Sequence, residues 1–406
     1  MESAADLDRT DPLAFARARF SLPEGIIYMD GNSLGALPRG VRERVDAVIA
    51  TQWGDGLIRS WNTHDWIDLP GRLGDRIGKL VGAAPGTVTV ADSTSVNLFK
   101  VLVAALQLRP GRRVILTERG NFPTDSYIAA GVAELLGRGH ALREVDAEAL
   151  PGALDDAVGV LLLTEVNYRT GARLDMAQLT AMAHAVGGLT VWDLAHSAGA
   201  LPVQLDAAEA DFAVGCGYKY LNGGPGAPAF VYAAPRHLAG LRQPLTGWLG
   251  HAAPFSFSAA YRPAAGIAAM RVGTPPILSM SALDAALDAF EGIDLGLVKR
   301  KADALFERFV AIVLAEAPEL KLATPRAAVR RGTQVSLRHP EAHAVMQALI
   351  ARGVIGDFRE PDILRFGLTP LYLGHVEVER AAGALCAVLR DRAWDRPEFR
   401  ARAKVV

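Results

Sequence analysis

The chain has 406 residues, with 43 Lys and Arg against 44 Asp and Glu, and half of its residues are apolar. This charge balance argues against nucleic acid or a membrane surface as partners, and no apolar run reaches the ~18 residues of a bilayer span. The two cysteines, Cys216 and Cys386, lack the spacing of a zinc site or a disulfide framework. We therefore expect a soluble cytoplasmic enzyme without a metal site.

The segment from 79 to 232 alternates short apolar runs with longer amphipathic ones. Strands are predicted at 87–90, 113–116, 158–163, 189–192, 212–215 and 229–231, and helices at 95–106, 124–136 and 176–186. This alternation predicts an α/β fold in which helices cover both faces of a mostly parallel sheet. Since ligands of such sheets bind beyond the carboxyl ends of the strands, the loops after these strands are where we expect the chemistry.

The pattern changes after about residue 284. Longer helices are predicted at 281–290, 297–315, 341–351 and 376–390, with short strands at 334–337 and 364–366. We therefore expect three parts: an N-terminal segment (1–50) that packs with the small domain, a large domain (51–283) and a small C-terminal α+β domain (284–406). The arginine-rich stretch 326–331 is interpreted as a solvated turn rather than an anion-binding patch.

Two segments that follow neighbouring strands carry the strongest chemical signal. Lys219 lies in a glycine-rich turn between Tyr218 and Tyr220, and Asp193 lies at the end of the preceding predicted strand. A lysine amine held out of water can form a Schiff base with an aldehyde. Pyridoxal phosphate needs such a lysine and an acid that keeps its ring nitrogen protonated. The alternative is that Asp193 caps a helix and Lys219 lies on the surface.

The chain resembles the kynureninase family, which consists of pyridoxal-phosphate enzymes with the fold type I of aminotransferases. The resemblance covers most of the chain, from YMDGNSLG at 28–35 to RFGLTPLY at 365–372. Its most specific segments are NFPTD at 121–125, DLAH at 193–196, YKYLN at 218–222, GWLGH at 247–251 and TPPIL at 274–278. Asp193 and Lys219 alone fit the whole superfamily, whereas the FPTD and GWLGH segments narrow the resemblance to kynureninases.

The resemblance implies pyridoxal phosphate as cofactor and a role for each matching residue. Lys219 carries the cofactor and later moves a proton, Asp193 pairs with the ring nitrogen, and Tyr218 is the candidate general acid or base. The implied cofactor contacts are Thr94, Ser95, Phe122, Asp125, Thr164, Asp193, His196, Tyr218, Lys219, Trp248 and Thr274. In the family the residues matching Trp248 and Thr274 come from the partner subunit, which implies a homodimer.

Two groups of these matched residues have a further interpretation. Thr94 and Ser95 open a helix directly after a strand, which suits a phosphate, but a simple helix cap fits them equally well. Thr274 stands where some relatives carry asparagine, and the resemblance then favours kynurenine over 3-hydroxykynurenine.

The resemblance also implies the substrate and its contacts. Arg365 matches the residue that binds the α-carboxylate, and a guanidinium suits this role because it donates two parallel hydrogen bonds. Ser33 and His64 are further candidates near the substrate. The implied reaction is the hydrolysis of L-kynurenine to anthranilate and L-alanine in tryptophan degradation.

Three alternatives stay open at this stage. A cysteine desulfurase or selenocysteine lyase needs a cysteine on a mobile loop, whereas Cys386 lies in a predicted packed helix. A transaminase needs room for a second keto acid, on which the sequence is silent. A non-catalytic regulator would not need to keep Lys219, Asp193 and Tyr218 together.

Overall fold

The computed structural model describes residues 2–402. In chain order, its strands are β1 Phe20–Ser21, β2 Ile27–Tyr28, β3 Leu37–Pro38, β4 Val88–Val90, β5 Val114–Glu118, β6 Ala141–Val145, β7 Val158–Thr164, β8 Leu189–Asp193, β9 Phe212–Gly215, β10 Phe230–Ala233, β11 Lys321–Leu322, β12 Gln334–Arg338, β13 Val354–Ile355, β14 Asp357–Arg359 and β15 Ile363–Gly367. Its α-helices are α1 Ala4–Arg9, α2 Val41–Ala47, α3 Ser60–Thr63, α4 Leu69–Val81, α5 Thr94–Gln107, α6 Pro123–Leu136, α7 Leu150–Ala153, α8 Met176–Ala185, α9 Pro235–Leu238, α10 Ile277–Leu287, α11 Leu295–Glu316, α12 Ala342–Ile350, α13 His375–Arg390 and α14 Pro397–Arg400. Among the helices within 2–402, none combines the length and the apolar character needed to cross a bilayer.

The large sheet has seven strands in the order β4-β10-β9-β8-β7-β5-β6. Strands β9, β8, β7, β5 and β6 are parallel, whereas β10 runs antiparallel to both β4 and β9. Every residue of β7 is buried. Leu161 and Leu163 belong to one hydrophobic core, and Val160 and Leu162 belong to another. A strand buried on both faces is a continuous apolar run, and the predicted α/β fold is confirmed.

One strand of this sheet, β6, was not predicted. It pairs only with β5 at the edge of the sheet, and its residues are half-buried or exposed. Because an edge strand buries little apolar surface, the sequence Ala141–Val145 lacks the apolar run that reveals the central strands.

The small sheet has the order β11-β12-β15-β14 and is antiparallel. Its register places Asp357 on β14 opposite Arg365 on β15. The N-terminal segment reaches this region because β2 pairs in parallel with β13, with Ile27 opposite Val354. This pairing brings the loop that contains Ser33 beside β14 and β15. The domain bounds at residues 50 and 283 stay a prediction.

The stretch 326–331 differs from the predicted solvated turn at its last residue. The Arg331 side chain is buried, and its guanidinium lies 3.7 Å from the centre of the Phe306 ring. It also forms ion pairs with Asp303 and Glu307 of α11, at 3.2 and 3.0 Å. A flat guanidinium can stack on an aromatic ring while its edge remains hydrogen-bonded. Arg331 therefore links α11 to the segment just before β12.

Asp211, just before β9, is a fully buried carboxylate with several donors. It forms contacts with His184 Nε2 (2.8 Å) and His237 Nε2 (2.7 Å), and it accepts from Arg236 Nη2 (2.7 Å) and the Thr190 amide (2.8 Å). Burial alone would raise the pKa of Asp211, but these hydrogen bonds together lower the pKa below its usual range. The carboxylate therefore stabilises the fold in its ionised form.

We expect Asp211→Asn to lower the free energy of unfolding by about 3 kcal/mol at pH 7, because the variant removes the buried negative charge on which Arg236, His184 and His237 converge. Since the folded pKa lies below that of an unfolded aspartate, about 3.9, this contribution is complete above that value and is lost as the pH falls. Thermal unfolding should therefore show a smaller difference from the native protein at acidic pH than at neutral pH. Asp156→Asn, at an exposed aspartate, is the control, and a difference independent of pH would contradict the assignment.

Candidate active site

The carboxyl ends of the parallel strands bring several predicted residues together. Thr164 ends β7, Asp193 ends β8, and Lys219 lies in the turn after β9. His196 follows β8, and its Nε2 atom lies 3.0 Å from Lys219 Nζ. Because these strands are parallel neighbours, their ends share one edge of the sheet, where ligands of such sheets bind.

The electrostatics of this edge follow from burial. Burial raises the pKa of Asp193, although the nearby Lys219 opposes the rise. Burial also lowers the pKa of His196 well below its usual range, and Lys219 lowers it further. The imidazole is therefore neutral and can accept a hydrogen bond from the lysine amine, while Asp193 Oδ1 accepts from the Ala195 amide at 2.7 Å.

The start of α6 forms another wall of the site. The Phe122 ring is partly exposed, and Lys219 Nζ lies 5.7 Å from its centre. Asp125, in the first turn of α6, is buried and accepts from Thr164 Oγ1 through Oδ2 at 3.1 Å. Burial and the neighbouring Asp193 raise the pKa of Asp125 well above its usual value.

Asp125 Oδ1 is buried and has no hydrogen-bond partner among residues 2–402. The same holds for His196 Nδ1. Since buried polar atoms in native proteins are nearly always hydrogen-bonded, these two atoms fit a site that holds a further polar molecule.

The start of α5 borders a cavity of about 540 Å³. Thr94, Ser95 and Tyr218 line this cavity, as does the glycine-rich turn at Gly226. Ser93 caps the helix by accepting from the Val96 amide at 3.3 Å. The cap interpretation therefore applies to Ser93, and the hydroxyls of Thr94 and Ser95 remain beside the cavity. A helix N-terminus with hydroxyl groups is a favourable site for a phosphate.

Three predicted residues are exposed within the single chain. Trp248 is 40% exposed and stacks on Phe257, with ring centres 6.5 Å apart. Thr274 is exposed and lines a separate cavity, and His64 is exposed just after α3. Within residues 2–402, none of the three lines the cavity at the start of α5.

Arg365 and Ser33 do come together. Arg365 Nη2 donates to Ser33 Oγ at 2.8 Å, and Arg365 Nε donates to Asp357 Oδ1 at 2.7 Å. A further hydrogen bond joins Arg365 Nη2 to Asp357 Oδ2. Arg365 Nη1 donates to the Tyr168 carbonyl at 2.6 Å.

Three residues at this site were not predicted: Tyr168, Asp357 and Arg359. The Tyr168 ring packs edge-on against Phe122 with centres 5.2 Å apart, while its carbonyl accepts from Arg365. Asp357 and Arg359 are two positions apart on β14 and so share one face of the strand. That spacing was a usable signal, whereas the position of Tyr168 depends on a loop conformation with no mark in the sequence.

Known proteins include relatives that are similar to this chain over its whole length. A family model described as the kynureninase C-terminal domain matches residues 298–385. The kynureninase of Burkholderia pseudomallei (strain 1106a) is 54% identical over 411 residues, which cover 100% of this chain and 99% of that protein. The chain belongs to the kynureninase family. The kynureninase of Deinococcus radiodurans (strain R1) is 55% identical over 397 residues, covering 95% of each chain, and the family prediction is confirmed.

Solved structures of lower identity share the fold of this kynureninase-family chain. A C-DES variant with glycine covalently linked to its PLP cofactor has a TM-score of 0.78 at 20% identity, covering 91% of this chain and 98% of that one. The cysteine desulfurase CsdA from Escherichia coli has a TM-score of 0.77 at 16% identity, covering 93% and 98%. These likenesses show the fold alone and do not favour desulfurase chemistry.

Both cysteines are also poorly placed for a desulfurase. Cys386 is buried in α13, as predicted, and Cys216 is buried just after β9. Burial raises the pKa of both thiols. A sulfur-accepting cysteine needs an accessible thiolate, and neither residue offers one.

Proposed function

We propose that this kynureninase-family enzyme uses pyridoxal phosphate to hydrolyse the Cβ–Cγ bond of L-kynurenine, releasing anthranilate and L-alanine. The observation that carries the proposal is the Lys219 amine beside a neutral His196 and a buried Asp193 at one edge of the large sheet. Arg365 of the small sheet reaches this region through the carbonyl of Tyr168, whose ring packs on Phe122. The proposal extends to 3-hydroxykynurenine as a second substrate, with Thr274 favouring kynurenine. We place the reaction in tryptophan degradation and in the cytoplasm, where the two unpaired cysteines would stay reduced.

The residues of the site fit the cofactor. Thr94, Ser95 and Tyr218 would hold its phosphate, and Phe122 would cover its ring. Asp193 would pair with the ring nitrogen, and the unpaired atoms of Asp125 and His196 suit its remaining polar groups. When bound, pyridoxal phosphate would withdraw electrons from the α-carbon of the substrate through the α-amino nitrogen.

The chain's own groups can handle the protons of the reaction. Lys219 Nζ is the base that removes the α-proton, and His196 Nε2 orients this amine through their 3.0 Å contact. Burial raises the pKa of Tyr218, so its phenol stays protonated at neutral pH. Tyr218 is therefore our candidate to donate a proton to the β-carbon and to assist water at the γ-carbonyl. Arg365, with Ser33, would bind the α-carboxylate.

The decisive experiment is incubation of the cofactor-loaded protein with L-kynurenine. We expect anthranilate, followed by its fluorescence, and L-alanine in equal amounts without any added 2-oxo acid. A transaminase would need the oxo acid to turn over, and a desulfurase would act on cysteine instead. Loaded protein that releases no anthranilate would overturn the proposed reaction.

We also propose a homodimer in which each subunit completes the site of the other. Trp248 and Thr274 are exposed in the single chain. Trp248 belongs to an exposed aromatic cluster with Phe255 and Phe257. Exposed aromatic patches of this kind are typical of interaction surfaces. The proposal assigns Trp248, Thr274 and His64 to the shared site.

Subunit mixing tests the shared site. Lys219→Ala and Trp248→Ala are each expected to have little activity as pure dimers. After the subunits are exchanged, mixed dimers contain one intact site, so about a quarter of native activity should return by random pairing. The control mixes Lys219→Ala with Lys219→Met, in which Trp248 is intact. This mixture should regain no activity, because neither subunit supplies Lys219. If the first mixture also stays inactive although mixed dimers form, the shared site is wrong.

A further inference from the structure

Two arginines and one buried carboxylate converge on Ser33. The Ser33 hydroxyl accepts from Arg359 Nη2 at 3.1 Å and from Arg365 Nη2 at 2.8 Å. It donates to Asp357 Oδ2 at 2.7 Å. Arg359 Nη2 lies 2.7 Å from the same Asp357 oxygen. We call Ser33, Asp357, Arg359 and Arg365 the carboxylate clamp.

The charged side chains of the carboxylate clamp differ in their exposure to solvent. The Arg365 and Asp357 side chains are each 1% exposed and share two hydrogen bonds, so they form a neutral buried pair. Such a pair has little net attraction for an incoming anion. The Arg359 side chain is 32% exposed. Its guanidinium is therefore the accessible charge of the clamp and gives the clamp a net charge of +1.

A fourth titratable group, Asp30, faces the same arginines. Burial and the neighbouring Asp357 raise the pKa of Asp30 to about 7. Below that pH, Asp30 is mostly protonated and leaves the charge of Arg359 uncompensated. While Asp30 is protonated, the clamp has one excess positive charge, which matches the single negative charge of an amino acid carboxylate.

The hydrogen bonds of Arg365 limit how it can meet a substrate. Its Nε and Nη2 atoms face Asp357, and its Nη1 atom donates to the Tyr168 carbonyl. Asp357 therefore fixes the edge formed by Nε and Nη2. The edge formed by Nη1 and Nη2 donates to the Tyr168 carbonyl and to Ser33, which a carboxylate would replace as acceptors. A guanidinium held in this way loses less freedom on binding a carboxylate.

We propose that Arg359 is a second substrate-binding residue whose guanidinium attracts and binds the α-carboxylate together with Arg365, and that Asp357 is the positioning residue for Arg365. This inference rests on the proposed function, because it assigns the substrate's α-carboxylate to the same site. A purely structural Arg359 would instead serve only as a counterion of Asp357, and its loss would change stability without changing substrate affinity.

The test compares Arg359→Gln with Arg359→Lys. We expect the glutamine variant to raise KM for L-kynurenine by about 10- to 100-fold, the value of one charge-assisted hydrogen bond, with kcat little changed. The lysine variant, which keeps the charge, should recover most of the affinity. Arg338→Gln is the matched control, since Arg338 lies on the same small sheet and pairs with Asp362 at the surface.

Ligand binding gives a readout that does not require cleavage. L-Alanine carries the carboxylate without the aryl ketone, and its binding to the cofactor-loaded protein can be followed by absorbance. Arg359→Gln should weaken L-alanine binding by a factor similar to its effect on KM. The affinity for the decarboxylated analogue of kynurenine should stay unchanged. If Arg359→Gln misfolds, Arg359→Met replaces it, because methionine and glutamine have side chains of similar length.

The two proposals can fail separately. If the native enzyme releases anthranilate and Arg359→Gln leaves both KM and L-alanine binding unchanged, the role of Arg359 is wrong and the proposed function stands. If the native enzyme releases no anthranilate, the proposed function is wrong. In that case the L-alanine titration still decides whether Arg359 binds a carboxylate.

Discussion

Lys219→Ala should lower the rate of kynurenine cleavage by at least about 10⁴-fold, the upper range for loss of a proton-transferring group. The expected loss is this large because we assign two tasks to one amine, attachment of the cofactor and removal of the α-proton. The 3.0 Å contact between Lys219 Nζ and His196 Nε2 holds the amine at the sheet edge. The measurement is kcat from anthranilate fluorescence, with circular dichroism to show that the variant is folded.

A second readout of Lys219 does not depend on turnover. Borohydride treatment of the native enzyme should leave the cofactor covalently attached to the peptide that contains Lys219, as seen by mass spectrometry, and the alanine variant should lack this adduct. Lys79→Ala, at an exposed lysine of α4, is the matched control and should behave as the native enzyme. Near-native cleavage by Lys219→Ala would contradict the whole assignment of the site.

Asp193→Asn should lower kcat by about 10²- to 10³-fold, the usual loss when one preorganised electrostatic group is removed. The amide has nearly the same shape as the carboxylate but carries no charge, so it cannot hold a proton on the cofactor's ring nitrogen. Asp193 is buried at the end of β8, which makes its charge strongly felt within the site. Steady-state kinetics and the cofactor dissociation constant give the two measurements.

The control for Asp193 is Asp175→Asn. Asp175 is an exposed residue that caps α8 by accepting from the Gln178 amide. This variant should keep native turnover, because asparagine is also a good helix cap. If Asp193→Asn kept nearly full activity, the role would pass to Asp125, whose buried Oδ1 atom has no partner among the described residues.

The large sheet was predictable because its central strands are buried on both faces. Such strands are short apolar runs with no polar alternation, as in Val158–Thr164. The edge strand Ala141–Val145 lacks this property and was missed. Arg331 was interpreted as solvated because an arginine-rich turn is usually exposed, and its stacking on Phe306 depends on a helix distant in sequence.

The site residues also divide into those that the sequence could place together and those that it could not. Lys219, Asp193 and His196 could be placed together because they follow neighbouring predicted strands, and the carboxyl ends of parallel strands share one edge. Thr164 was assigned through the family resemblance alone. The carboxylate clamp could not be assembled from the sequence, because Ser33 and Asp357 are 324 residues apart and meet through strand pairing. The roles of Trp248, Thr274 and His64 stay predictions, and the subunit-mixing experiment addresses that of Trp248.

The separation of Ser33 and Asp357 in the sequence affects the order in which parts of the site form during synthesis on the ribosome. Ser33 leaves the ribosome early, but β14 and β15 are among the last strands to be synthesised. Since domains fold as the chain emerges, the pocket around Lys219 can form while Ser33 still lacks its partners. A nascent chain would thus form its own part of the cofactor pocket before it can hold a substrate, and a product truncated before Asp357 should be inert toward kynurenine.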